Sequence, residues 1–275
     1  MSISIHPSAV VEHGAQLGED VEIGAFCYVA ATAKIGAGSK LFPHATVLDY
    51  TSIGERNRIH SGAVIGDTPQ DLSFTGAPSY VVTGSDCVFR EGVTVHRGAA
   101  PGTTTTIGNH VFMMANSHAA HNVVLGDRVI MANNVLLAGH VSVGERTFFG
   151  GGALVQQHTR IGRFVMMGGG CGAAKDVPPF CITVSLVTSR VYGLNIVGLR
   201  RGGFTAEERK EIKRIFGIVF LQGLNRLQAI DVLRAGEPTA LATEMADFLA
   251  AARRGIARLR KLDDDDDGDG GGDEG

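Results

Sequence analysis

Five histidines, His96, His118, His121, His140 and His158, crowd one stretch of the chain at regular spacing. His118 and His121 bracket Ala119 in NSHAAH, His140 follows His121 by 19 residues, and His158 follows His140 by 18. An imidazole titrates near neutral pH, so such a group can supply a general base. It is also a common zinc ligand, and three imidazoles around one metal would generate a bound hydroxide for hydration chemistry. A third reading assigns no chemistry, because repeat proteins decorate their corners freely with polar residues. That reading suffices for His13, His44 and His60.

Whatever the chemistry, a period of six residues must position it. Ile5, Val11, Leu17, Ile23, Val29, Ile35, Leu41, Val47, Ile53, Ile59 and Ile65 stand six apart. The period resumes at Ile107 and runs through Met113, Ala119, Leu125, Met131, Leu137 and onward to Ala173. Neither a helix nor an alternating strand gives this spacing. It is a hexapeptide repeat, the mark of a parallel β-helix. Sandwich strands do not hold one period over so long a stretch. Three hexads make one coil, and residues 18 apart stack in neighbouring coils about 4.8 Å apart. His158 therefore lies above His140, and His140 lies one coil up and one place along from His121. Gly often follows the inward residue, as at Gly126 and Gly144, which suits a corner needing a positive φ or no Cβ.

Two breaks interrupt the period. The first spans about 67–80 (DTPQDLSFTGAPSY) and the second about 98–106 (GAAPGTTTT). Loops inserted in a solenoid are surface features and often functional. The prolines of DVPPF, 176–180, end the stack. Helical spacing then begins at Thr205, where TAEE spells a capping box with Glu208. Further helices are expected over about Asn225–Ala235 and Pro238–Leu259, covering the end of the solenoid or packing between subunits. The expected organisation is a β-helix over 1–190, a helical domain over 191–262 and an acidic tail over 263–275.

The chain has 275 residues, 38 Gly and no Trp, which fits a solenoid core of small and branched aliphatic residues. Cys27, Cys87, Cys171 and Cys181 form no CxxC pair and read as structural thiols. The N-terminus has no basic start or apolar run like a signal peptide, and no stretch is apolar enough to span a bilayer. These features predict a cytoplasmic protein. The net charge is −3, but Asp263–Gly275 carries seven Asp and one Glu; removing those eight from 28 acidic residues leaves 20 against 25 basic. The tail has nothing apolar to bury and is expected to be disordered. The body's small positive balance suits an acidic partner and is too slight to argue for nucleic acid.

Ordered motifs give a more specific reading. IHPSAVVEHGAQLG opens the chain, QDL stands in the first inserted loop, and VTVHRG follows at 93–98. NSHAAHN at 116–122, MANNVLLAGHVSVG at 131–144, DVPP at 176–179 and GLNIVGLRR at 193–201 complete the set. This set resembles the acyl-carrier-protein UDP-N-acetylglucosamine O-acyltransferases, the LpxA family, up to the acidic tail. The resemblance implies a left-handed parallel β-helix with a helical C-terminus, assembled as a homotrimer. It implies transfer of a fatty acyl group, such as a 3-hydroxyacyl group, from acyl carrier protein to the 3-hydroxyl of UDP-N-acetylglucosamine. That is the first step of lipid A biosynthesis, and it needs no metal and no cofactor.

The same resemblance assigns roles by position. His121 matches the general base and the Gly139 N–H the oxyanion donor. His118 and His140 match groups that position the sugar, and Asp71 and Gln157 match further substrate contacts. Asn195 and Arg201 match nucleotide contacts, and Gly172 matches the position limiting acyl-chain depth. The chain departs from the family pattern at Ser73 for Lys, Gln156 for His and Val197 for an acidic residue. Asn122 stands where Asp often follows the catalytic His. Three alternatives remain: a divergent or inactive paralogue using another UDP-sugar, a zinc hydratase of the γ-carbonic anhydrase type, or a hexapeptide protein without chemistry.

Overall fold

The structure, a computed structural model, describes residues 2–184 and 190–260. The acidic tail expected over 263–275 lies outside the described residues. Short strands alternate with turns from Ser4 to Ala173 and stack into three sheets; with the later strands Cys181–Val184, Arg190–Leu194 and Arg258–Leu259, these hold 12, 9 and 8 strands among the described residues. These sheets are the three faces of a left-handed parallel β-helix. Inward residues such as Ile35, Val47, Phe89, Met113, Ala119 and Leu137 fill one continuous core. Among the described residues no helix is long and apolar enough to cross a membrane.

Register shows how the insertions are tolerated. His118 pairs with Leu136, a step of 18 residues. The step is 30 at Val64 and Thr94, and 24 at Thr94 and His118. The excesses are two hexads and one hexad. The inward phase therefore survives, and Ile65, Val95 and Ala119 are all fully buried. The loops are also shorter than the sequence break. Strands Val64–Asp67 and Tyr80–Thr83 flank the first, and Thr94–His96 and Thr104–Ile107 flank the second. The β-branched run at 104–106 joins the ladder against Tyr80–Val82.

The corner glycines answer to crowding rather than to φ. A Cβ on Gly126 would lie 2.7 Å from the Glu145 nitrogen in the next coil. The positive φ falls two residues later, at Arg128, and likewise at Asn122, His140 and His158 (58°, 59°, 59° and 63°).

After the last regular coil, Cys181–Val184 extends the first face in parallel and Arg190–Leu194 returns antiparallel beside it. Among the described residues four helices follow: α1 (Ile196–Arg201), α2 (Ala206–Phe220), α3 (Arg226–Arg234) and α4 (Ala240–Ala250). Thr205 and Glu208 form a capping box on α2, and Asn225 and Gln228 form another on α3. The helix expected to reach Leu259 stops at Ala250. Gly255 has a φ of 77°, and Arg258–Leu259 re-enters the first sheet beside Arg190–Leu194. Helix α1 was not legible as a helix in GLNIVGLRR. Phe216 of α2 packs on the solenoid core, while Phe164, Phe180, Leu199 and Ile215 build a second core. The helices thus close the C-terminal end, whereas Ile5 at the other end is 45% exposed.

Candidate functional site

The histidines sit on the second face and on the corner that follows it. The outward column of that face reads Thr94, His118, Leu136, Leu154, Gly172, each residue paired with the next. At the corner, His140 N–H donates to the His121 carbonyl and His158 N–H to the Gly139 carbonyl, both at 3.0 Å. His121, Gly139 and Gln157 therefore form one column, and Asn122, His140 and His158 the next. A groove of about 560 Å³ runs along this edge between the corner and the apolar lane of Leu136 and Leu154.

His121 is buried, and its tautomer is set by its neighbours. Nδ1 lies 3.1 Å from Asn122 Oδ1. The same oxygen accepts from the Ala99 backbone N–H at 3.0 Å. A backbone N–H can only donate, so the Asn122 atom is an acceptor and Nδ1 must carry the proton. Nε2 of the neutral ring is then the free lone pair. The second inserted loop supplies Ala99, and Thr105 Oγ1 accepts from the Asn122 N–H at 2.8 Å. The first inserted loop brings Asp71 Oδ2 to 3.6 Å from Nε2. Two bonds from Ser73, backbone and hydroxyl, hold the Asp71 carboxyl below its ordinary range.

Gly139 is required by the ring of His121 itself. A Cβ there would run into that ring. Among the described residues the Gly139 N–H meets no backbone carbonyl, so it remains available as a donor. His118 Nδ1 lies 2.7 Å from Thr94 Oγ1, and its ring meets His96 edge-on at 4.8 Å. Burial, then the His96 neighbour, pushes its pKa down to about 4. His118 is thus a neutral hydrogen-bonding group near pH 7. His140 meets His121 edge-on at 5.1 Å and stacks on His158 at 4.6 Å. Burial and those two imidazoles lower its pKa. The three rings meet by faces and edges rather than with converging lone pairs. Among the described residues no group of three or more His, Cys, Asp or Glu is arranged to hold a metal ion.

Residues 104–139 match the bacterial transferase hexapeptide family, and residues 176–257 match domain 2 of UDP N-acetylglucosamine O-acyltransferase. An acyl-carrier-protein UDP-N-acetylglucosamine O-acyltransferase of Syntrophobacter fumaroxidans is 39% identical over 93% of this chain and 100% of its own. The chain belongs to the acyl-carrier-protein UDP-N-acetylglucosamine O-acyltransferase family. The relative from Thermodesulfovibrio yellowstonii is 38% identical over 92% of this chain and 99% of its own. The solved LpxA of Acinetobacter baumannii superposes with a TM-score of 0.88 at 34% identity, covering 92% of this chain and 99% of that one. The Campylobacter jejuni UDP-N-acetylglucosamine acyltransferase gives 0.87 at 38% identity, covering 94% and 100%.

The structure gathers most residues singled out from the sequence. His118, His121, Gly139, Gln157 and Gly172 line the groove, Asp71 faces His121, and His140 stands beside it. Asn195 does not join them. It caps α1, accepting from the Gly198 N–H and donating to the Phe164 carbonyl, both at 2.9 Å. Phe164 lies on the corner between the third and first faces, so Asn195 and Arg201 stand at a different edge from His121. The family departures have structural consequences. Ser73, in place of Lys, folds back to cap Asp71 at 2.7 Å, Gln156 lines the groove, and Val197 is exposed on α1. Two features escaped sequence reasoning. Leu136 and Leu154 form a lane that reading the 18-residue column outward as well as inward would have found. Arg253 and Arg254 lay hidden in a stretch that read as helix.

Proposed function

We propose that this protein transfers a (3-hydroxy)fatty acyl group from acyl carrier protein to the 3-hydroxyl of UDP-N-acetylglucosamine, the first step of lipid A biosynthesis. The observation that carries the mechanism is the fixed tautomer of His121 beside the free Gly139 N–H. Nε2 takes the proton of the sugar hydroxyl as its oxygen attacks the thioester carbonyl carbon. The new C–O bond forms, and the oxyanion of the tetrahedral intermediate accepts from the Gly139 N–H, a preorganised donor. The C–S bond then breaks, and the imidazolium returns its proton to the departing thiolate. Asp71, held ionised by Ser73, stabilises that imidazolium and offers an acceptor to the sugar. His118 and His140 orient the sugar as neutral imidazoles, and Gln157 adds a further contact.

The lane from His118 over Leu136 and Leu154 to Gly172 spans three coil steps, about 14 Å at the β-strand spacing. It supports acyl-chain binding, with Gly172 at the depth limit. A nucleotide contact from Asn195 or Arg201 must come from another copy of the chain, because these residues stand at a different edge from His121. This supports a homotrimer with the groove between subunits; we place the enzyme in the cytoplasm. The test is to incubate the purified protein with several acyl-carrier thioesters and UDP-sugars and to identify products by mass. An O-acylated UDP-N-acetylglucosamine is expected. Absence of any acylated UDP-sugar from a folded protein would overturn the reading.

A further inference from the structure

A second cavity, of about 530 Å³, shares the His140 corner with the groove. Its walls are His140, His158, Arg160, Asp176, Arg253 and Arg254, with Ala251 between them. Three guanidinium groups thus face one carboxylate. Arg160 is engaged: it lies over the Phe248 ring at 4.3 Å, donates to the Phe248 carbonyl at 3.1 Å and stands 3.6 Å from Asp176 Oδ2. Asp176 is buried and also accepts from the Arg160 N–H at 2.9 Å, so that charge is answered within the wall. Among the described residues Arg254 makes one hydrogen bond, to the Gln157 carbonyl at 3.2 Å. Arg253 is exposed and forms no ion pair among the described residues. Arg160 and Arg254 both act on the Asp176 charge, so among the described residues the wall sets three cations against one carboxylate, beside two stacked imidazoles.

The location gives this charge a meaning. The His140 ring is 5.1 Å from that of His121, and Gln157, whose carbonyl Arg254 holds, also lines the groove. A ligand with its reacting end at Nε2 of His121 can reach into this cavity with an anionic portion. Resting on the acyltransferase reading, we propose that the cavity is a phosphate-ester subsite, binding the phosphate of a substrate that reacts at His121. Guanidinium forks match phosphate oxygens in shape and charge. The stacked imidazoles add N–H donors beside the guanidinium groups. Both substrates carry the required chemistry. The acceptor has a nucleoside diphosphate, and the carrier's thioester arm has a phosphodiester.

Arg253→Gln is the informative variant, because among the described residues Arg253 makes no hydrogen bond or ion pair to lose; Arg253→Lys keeps the charge without the fork. Binding is read first, without turnover. Inorganic pyrophosphate and methyl phosphate are titrated into full-length protein with labelled histidines. At least one anion is expected to shift the His140 and His158 ring resonances saturably, about tenfold more weakly in Arg253→Gln and with intermediate affinity in Arg253→Lys. This readout stands even if the acyl-transfer reading fails. No saturable shift, or equal affinity in wild type and Arg253→Gln, overturns the subsite.

Steady-state kinetics then assigns the source. A roughly tenfold rise in KM for UDP-N-acetylglucosamine alone, with kcat moving less, identifies the acceptor diphosphate. The same rise for the acyl-carrier substrate alone identifies the phosphodiester. If neither KM moves, or if both rise together with a loss of thermal stability, the proposal is wrong.

Discussion

Asp71 Oδ2 stands 3.6 Å from His121 Nε2, although an inserted loop carries one and a regular coil carries the other. Asn122 takes the opposite nitrogen of the same ring. A buried imidazole is thus held at both ends, with its proton on the Asn122 side. Replacing His121 by Ala is expected to lower kcat by about 10²–10⁴, the range for losing a general base. Asn122→Ala, which frees the tautomer, should cost less. Full activity in a well-folded His121→Ala protein would falsify the mechanism.

Gly139 lies under the His121 ring, and the space for one methyl group is already filled by that ring. Gly139→Ala should displace the imidazole and move the oxyanion donor with it. The expected loss is on the order of a hundredfold in kcat, since positioning errors near 1 Å have that effect. Circular dichroism and the melting temperature should stay close to wild type, because the ring can swing into the groove. A variant with normal kcat would show that the ring is not positioned through Gly139.

The order of the chain made most of this visible in advance. One six-residue period from Ile5 to Ile65 specifies the solenoid, and columns 18 residues apart put His140 under His158 from spacing alone. The capping spelling at Thr205 and Glu208 located α2 for the same reason: it is a local rule. What the sequence hid was long-range or irregular. Nothing in the first insertion says that Asp71 folds back on His121, because a loop outside the hexads has no register. Helix α4 stops short of Leu259 because Arg258–Leu259 pairs with Arg190–Leu194, a contact between segments far apart in the chain.

His118 should make stability fall in acid. Its folded pKa is pushed down to about 4, mainly by burial, from an ordinary 6.5. The unfolded chain therefore takes up the proton first, and stability declines as pH falls from 6.5 towards 4. Above 6.5 the contribution is fully present; the whole window is worth about 3 kcal/mol. His118→Gln keeps a hydrogen-bonding group for Thr94 without titrating. Denaturant melts at pH 4 and 7 should differ less for this variant than for wild type. An unchanged difference would show that His118 is not the group concerned.

Gly172 ends the lane that begins at His118, with Leu136 and Leu154 as the rungs between. A side chain here would project along the outward column into the path of an acyl chain. Gly172→Met is expected to cut kcat/KM for long acyl donors by at least about tenfold while sparing short ones, because filled volume excludes only what must reach it. Competition between two chain lengths in one reaction gives the ratio directly. A ratio equal to that of wild type would remove Gly172 from the acyl site.

Deleting Asp263–Gly275 should change neither folding nor turnover. The last ladder bonds of the described chain are made before the cut: Arg258–Leu259 pairs with Arg190–Leu194, and the Arg260 N–H donates to the Val191 carbonyl at 2.9 Å. The deleted stretch holds eight acidic residues and nothing apolar, so it has no surface to bury. Its charge can act only over a Debye length, about 10 Å at 0.1 M salt. Within that range it would compete with an acidic carrier protein for Arg253, Arg254 and Arg258. The measurement is KM for the acyl-carrier substrate at low and at moderate salt, with and without the tail. An unchanged or slightly lower KM at low salt, converging on wild type as salt rises, fits a solvated arm. Loss of activity or of the oligomer on deletion would assign the tail a structural role instead.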